Sequence, residues 1–196
     1  IIADSLEGWM FAVVNGKHWI AQRVPDDHVA VIPNNYTIGE IDLADTTRFL
    51  GSSDIIEYAQ QRGWYDPEKD GAFHFAMTYA VDWSCNHPGN TRRMARGLNL
   101  LSGKEYKESD SLPFSFKPEK KVSIADLKSV LRDHYENSHF DKSDHYRLGN
   151  PHALDETTIC DLNTQFSMIV HLRNDRPAEI GTVLWLAPYR PCVQAY

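Results

Sequence analysis

The side chains able to do covalent chemistry are few. Cys85, Cys160 and Cys192 are the only thiols in 196 residues. They are odd in number and contain no C-x-x-C pair, so neither a disulfide framework nor a Cys-based zinc site is expected. His139, Asp141, Asp144 and His145 gather imidazoles and carboxylates in one short stretch, a mixture that suits a divalent ion. That stretch is also rich in Ser, Asp and Lys and has no pattern. A solvated loop is the expectation, because metal ligands need fixed geometry and partners that orient them. The common catalytic signatures are absent: no G-x-S-x-G, no G-x-x-x-x-G-K-[ST], no H-E-x-x-H and no G-x-G-x-x-G. Asn35-Tyr36-Thr37 matches a glycosylation sequon, too short a pattern to carry weight. Of the five tryptophans, Trp9 and Trp185 fall inside strand-like runs and Trp19 just after a turn, which points to packing before ligand stacking.

Whatever chemistry there is must be positioned by an ordinary folded domain. Hydrophobic residues make up 42% and charged residues 24%, far from the composition of disorder. A chain of this length buries about 70% of the surface its unfolded form exposes, so a single domain needs no disulfide or metal to support a core. The formal charge is −7, without a basic block, which weighs against a nucleic acid or an anionic membrane as partner. The longest apolar runs, Trp9–Val14 and Ile180–Leu186, are strand-length, against the ~20 residues a spanning helix needs. Ile1-Ile2-Ala3-Asp4 reads like the inside of a strand, and the end at Tyr196 follows another strand without a polar tail. The expectation is a piece of a longer protein.

Three stretches organise the chain. Trp9–Val14, the turn Asn15-Gly16 and His18–Gln22 form a predicted hairpin, since Asn-Gly supplies the two positive-φ residues of a type I′ turn. Val29–Ile32 is the predicted third strand of this antiparallel meander, and apolar residues on both faces predict a sheet covered on both sides. The middle is helical: Asp54 with Glu57 predicts a reciprocal cap ahead of a helix stopped at Gly63, Asn90 predicts the cap of a second, and Ser123 that of a third. In the third, Leu127, Val130, Leu131 and His134 recur at helical spacing. Glu105–Lys121 is a predicted loop. Strands return over Thr164–Arg173 and Ile180–Leu186, about a turn at Asn174-Asp175. Strands, then helices, then strands predict an α+β fold with antiparallel sheets, and speak against parallel-sheet plans.

A series of short motifs in one order carries a resemblance. Ile2-Ala3-Asp4, Glu7-Gly8-Trp9, Gly16-Lys17-His18-Trp19-Ile20-Ala21, Arg23-Val24-Pro25-Asp26-Asp27 and Ile32-Pro33-Asn34-Asn35-Tyr36-Thr37-Ile38 resemble the dipeptidase A group of cysteine peptidases. That group includes the secernins and is related to penicillin V acylase and bile salt hydrolase. The likeness continues through Arg48, Tyr58-Ala59 and Arg62-Gly63-Trp64, then resumes at Thr158-Ile159-Cys160 and Gly181–Ala187, with Glu105–Leu154 the least similar part.

The resemblance implies an N-terminal-nucleophile (Ntn) hydrolase: a four-layer αββα sandwich, incomplete in this chain, that uses no metal or organic cofactor. In such enzymes a processed N-terminal Cys attacks an amide carbonyl, with its own α-amino group as base. A terminal amine, with a pKa near 7.7–8.0, is partly neutral at pH 7 and can take the thiol proton. Ile1 is not Cys, and the three internal cysteines have no free α-amino group, so the nucleophile is expected in preceding chain. Cys160 reads as a buried structural thiol. Two catalytic positions carry over. Asn34, with Asn35 as the fallback, matches the Asn whose side-chain NH₂ stabilises the oxyanion, and Arg93 in Thr91-Arg92-Arg93-Met94 matches the Arg near a helix start that reaches the nucleophile.

The function so implied is cleavage of small peptides by the whole protein, with this chain alone inactive. The alternatives are an acylase of the penicillin V acylase type and a secernin-like binding protein without hydrolysis. A missing sandwich layer would leave a sheet edge and apolar surface bare, so a companion N-terminal segment or pairing between copies is expected.

Overall fold

A computed structural model describes residues 1–141, 152 and 157–196. They group into two compact units, Ile1–Thr91 with Ser111–Lys117 and Arg92–Asp110 with Pro118–Tyr196.

In the first unit β1 (Ile2–Ala3), β2 (Gly8–Val14), β3 (His18–Val24) and β4 (Phe49–Gly51) form an antiparallel sheet in that order. The hairpin has the expected turn: Asn15 and Gly16 have φ of 50° and 77°, and Val14 faces His18. The third position differs from expectation. Val29–Ile32 makes only a single bridge, Val29 to Phe116, and the strand beside β3 is β4. Both backbone bonds between Val29 and Phe116 form, at 2.8 and 2.9 Å, so the segment is pinned at one residue between Pro25 and Pro33 instead of laddered. Gly51 has a packing reason, since a Cβ there would come within 2.8 Å of Ile20 Cδ1 and 3.0 Å of the Trp19 carbonyl oxygen.

One face of this sheet makes the core. Ala12, Val14 and Ile20 pack with Ile38, Phe73, Phe75, and Ile55 and Ala59 of helix α1 (Ile55–Gln61). Full burial of each large apolar side chain is worth about 1.5–3 kcal/mol. Helix α1 ends at Gly63, whose φ is +69°, but Asp54 makes no cap bond; its carboxylate instead meets His18 Nε2 at 3.3 Å, while Tyr58 stacks on the His18 ring at 4.0 Å. The other face is less covered than expected, with Val13 and Leu50 exposed. Two short helices follow, α2 (Phe75–Tyr79) and α3 (Asp82–Cys85).

Helix α4 (Pro88–Ser102) begins three residues earlier than a cap at Asn90 would place it. Pro88 occupies a first-turn position where no N–H is needed, and His87 Nδ1 accepts the Gly89 N–H at 3.1 Å. Asn90 therefore lies inside the helix and does not cap it.

The second unit contains most of α4, then α5 (Ile124–Leu131) and the hairpin of β5 (Phe166–Leu172) and β6 (Thr182–Pro188). Ser123 caps α5 as predicted: its Oγ accepts the Asp126 N–H and the Asp126 carboxylate accepts the Ser123 N–H. The helix stops at Leu131, so His134 lies beyond it and not on its apolar face. Met94, Leu98, Tyr135, Ile169 and Ala187 are buried here, and charged side chains tie the loops beside them. Arg96 forks onto both Asp133 oxygens at 2.9 and 2.5 Å and donates to the Glu136 carbonyl at 2.7 Å. Arg132 donates to the carbonyls of Pro191 and Gln194, and Arg190 to that of Leu162. On the hairpin, Ser167, Ile169 and Ala187 are buried, while Phe166, Met168 and Val170 stand exposed beside Leu184 and Leu186.

The architecture is thus mixed α and β with antiparallel sheets and, among the described residues, no closed barrel, in keeping with the α+β expectation. No helix among the described residues is long and apolar enough to cross a membrane.

Candidate functional site

Asn34 sits at a bend after Pro33, on a cleft of about 510 Å³ in the first unit. The walls come from Met10–Val13 of β2, from residues 32–36 and from Tyr79, Ala80, Val81 and Ser84. The backbone of Asn34 is held from one side: its carbonyl accepts Asn90 Nδ2 at 3.2 Å and Ser84 Oγ at 3.3 Å. Asn90 is 5% exposed and also donates to the Ser84 carbonyl at 2.9 Å, so one buried amide ties the bend to α3. The Asn34 side chain is exposed. An exposed amide side chain on a fixed backbone can donate to charge that develops on a carbonyl oxygen. Asn35 differs, because its Oδ1 is buried without a hydrogen-bond partner. Tyr79, on the same cleft, donates to the Ile55 carbonyl; burial, reinforced by Tyr58 and Asp54, pushes its phenol up to about 12, so it stays protonated.

Arg93 lies on α4 within the second unit and is half-buried. Its neighbours are engaged elsewhere. Arg92 pairs with Glu108 at 2.7 Å and lies over the Phe140 ring at 3.8 Å, and Arg96 holds Asp133. Arg92 and Arg96, one turn apart, thus have separate partners, which their spacing alone could not reveal.

Cys160 does not read as a nucleophile. Cys160 is fully buried, and burial pushes its thiol up to about 12. It lies among His134, His152 and Cys192, the one group of three or more His, Cys, Asp or Glu among the described residues whose ligand atoms all fall within 4.8 Å of one another. Burial, then the neighbouring His134, keeps the His152 imidazole below its usual range. Where it is described, the stretch expected to be a solvated loop is irregular and His139 is exposed; its contacts are local, with the His139 ring 3.8 Å from that of Phe140 and the Asp141 carboxylate accepting the Asn137 N–H at 2.8 Å. Asp144 and His145 lie outside the described residues.

The chain belongs to Peptidase family C69, whose family model matches residues 1–195. It is 31% identical to "Probable dipeptidase" of Latilactobacillus sakei, over 94% of this chain and 38% of that protein. It is 30% identical to "Dipeptidase" of Bifidobacterium longum (strain NCC 2705), over 94% and 37%, and 28% identical to "Probable dipeptidase" of Salmonella dublin, over 98% and 44%. The chain spans about two-fifths of the length of these relatives.

The contacts of Asn90 and Ser84 with the Asn34 carbonyl are what sequence reasoning missed. Asn90 was visible only as a helix-start residue, and its bonds to positions 34 and 84 depend on the tertiary fold.

Proposed function

We propose that this chain is part of a cysteine-type dipeptidase of the Ntn-hydrolase class, both units belonging to one catalytic domain of αββα plan. The nucleophilic thiolate and its α-amino base come from chain outside these 196 residues, attack the substrate carbonyl and release the amine half of a small peptide, after which water clears the thioester. The Asn34 NH₂ donates to the tetrahedral oxyanion, and the Arg93 guanidinium steadies the thiolate and its neighbours.

The observation that carries the reading is Asn34 itself: within a chain matched end to end by a peptidase family, its carbonyl is clamped by Asn90 and Ser84 while its side chain stays exposed on a cleft. The exposed stripe of Phe166, Met168, Val170, Leu184 and Leu186 supports the sandwich plan, because such a face calls for another layer. That layer would come from a companion segment or a second copy.

The test uses the longer protein with its upstream segment, assayed on dipeptides and on N-acyl amino acids. Dipeptide hydrolysis with kcat reduced about 100-fold or more in Asn34→Ala, and KM little changed, is expected. Preference for N-acyl amino acids would instead make it an acylase. The 196-residue chain alone is expected to be inactive, so dipeptide turnover by it that disappears in Cys160→Ser would overturn the assignment.

A further inference from the structure

The second unit gathers four side chains that the peptidase reading does not use. His134 follows α5, His152 and Cys160 lie between α5 and β5, and Cys192 follows β6. His134, His152 and Cys160 are buried and Cys192 is half-buried. Their heads meet at one point: His152 Nε2 lies 3.1 Å from His134 Nε2, 3.6 Å from Cys160 Sγ and 3.3 Å from Cys192 Sγ. A neutral imidazole nitrogen either donates one hydrogen bond or accepts one, so a single nitrogen cannot satisfy three such neighbours. A cation between them can.

We propose that His134, His152, Cys160 and Cys192 form a structural Zn²⁺ site. With Zn–N of about 2.0–2.1 Å and Zn–S of about 2.3 Å, the edges of a tetrahedron are about 3.3 Å for N···N and about 3.6 Å for N···S. The three separations given above fall within about 0.3 Å of those edges. Two thiolates offset the ion's double charge, so the buried assembly is neutral overall. An S₂N₂ set suits zinc before magnesium or calcium, which favour oxygen.

The surroundings also fit. The His134 Nδ1 lies 2.9 Å from Glu136 Oε1, and the His134 N–H donates to Glu136 Oε2 at 2.7 Å. A carboxylate on the far ring nitrogen fixes the tautomer that leaves Nε2 as the ligand atom, the usual outer partner of a zinc-bound histidine. The Cys160 N–H donates to the Asp133 carbonyl at 3.0 Å, setting that ligand's backbone beside His134. Four protein ligands close the coordination sphere, which makes the site a fastener and leaves no open position for substrate. The ion would join the segment after α5 to the one after β6.

The test measures metal on the 196-residue chain purified under reducing conditions without chelator. One zinc per chain is expected, falling below about 0.1 in Cys160→Ser and in Cys192→Ser. Because a variant that unfolds also loses metal, unmodified protein is stripped and loaded with Co²⁺ as well. Tetrahedral d–d bands together with a thiolate-to-cobalt charge-transfer band are expected. Chelator should lower the thermal midpoint of the zinc form by about 5–10 °C, restored by Zn²⁺. An octahedral cobalt spectrum without the charge-transfer band, unmodified protein that neither carries nor takes up zinc, or a mass 2 Da lighter that marks a disulfide would each overturn the site.

Discussion

Each unit buries apolar side chains, but they differ in the contacts that tie their loops. In the first, β2, β3, α1 and the segments carrying Ile38, Phe73 and Phe75 share one contiguous apolar core. In the second, charged and polar side chains reach across the loops: Arg96 to Asp133, Arg132 and Arg190 to backbone carbonyls, and the His and Cys group around His152. Apolar burial is non-directional and tolerates many arrangements that fill the volume. A buried ion pair tolerates few, since losing one partner strands the other. The core of the first unit should therefore respond to changes of volume, and the Arg96–Asp133 pair of the second to changes of charge.

The largest expected effect lies in the apolar core. Phe75→Ala removes a fully buried ring from among Ile38, Ile55 and Ala59 and should cost about 3–5 kcal/mol, read from the urea midpoint. The same measurement on Asp133→Ala should show about 3 kcal/mol, at the lower end of what breaking a buried pair costs, because Arg96 keeps the Glu136 carbonyl. If Asp133→Ala cost nothing, the contrast between the units would fail.

The smallest effect concerns the α5 cap. Ser123→Ala should cost about 1 kcal/mol near neutral pH. The Ser123 backbone N–H, and then its hydroxyl, hold the Asp126 carboxyl below its usual 3.8. A depressed carboxylate pKa gives stability that is fully present above the unfolded value and is lost as pH falls through the folded one. The gap between wild type and Ser123→Ala should thus narrow on acidification below pH 3.8, as followed by thermal midpoints. A gap that widened in acid would show that the carboxylate is not what the serine serves.

The same contrast explains what could be read from the sequence. Local rules succeeded where neighbours in sequence are neighbours in space: the Asn15-Gly16 hairpin, the Ser123 cap, the stop at Gly63 and the β5–β6 pair about Asn174-Asp175. They failed where a side chain had a distant option. Asp54 meets His18, 36 positions away, and Asn90 reaches back to Asn34. Val29 gave up a strand ladder for one bridge to Phe116. Asn34 was legible only through an ordered set of motifs, and the clamp behind it was not. Cys160 was read as a buried thiol, as found, but its neighbours at 134, 152 and 192 are too far apart in sequence to form a recognisable spacing.

The grip of Arg132 on the last residues has a consequence for how this part of the protein can vary. Its guanidinium holds the carbonyl oxygens of Pro191 and Gln194, groups that every amino acid carries. What it recognises is the path of the chain, whatever side chains lie along it. Position 194 is therefore open to substitution among relatives without loss of the anchor, whereas an inserted or deleted residue between 191 and 194 would move one carbonyl out of reach. This segment should tolerate drift in letters far better than drift in length.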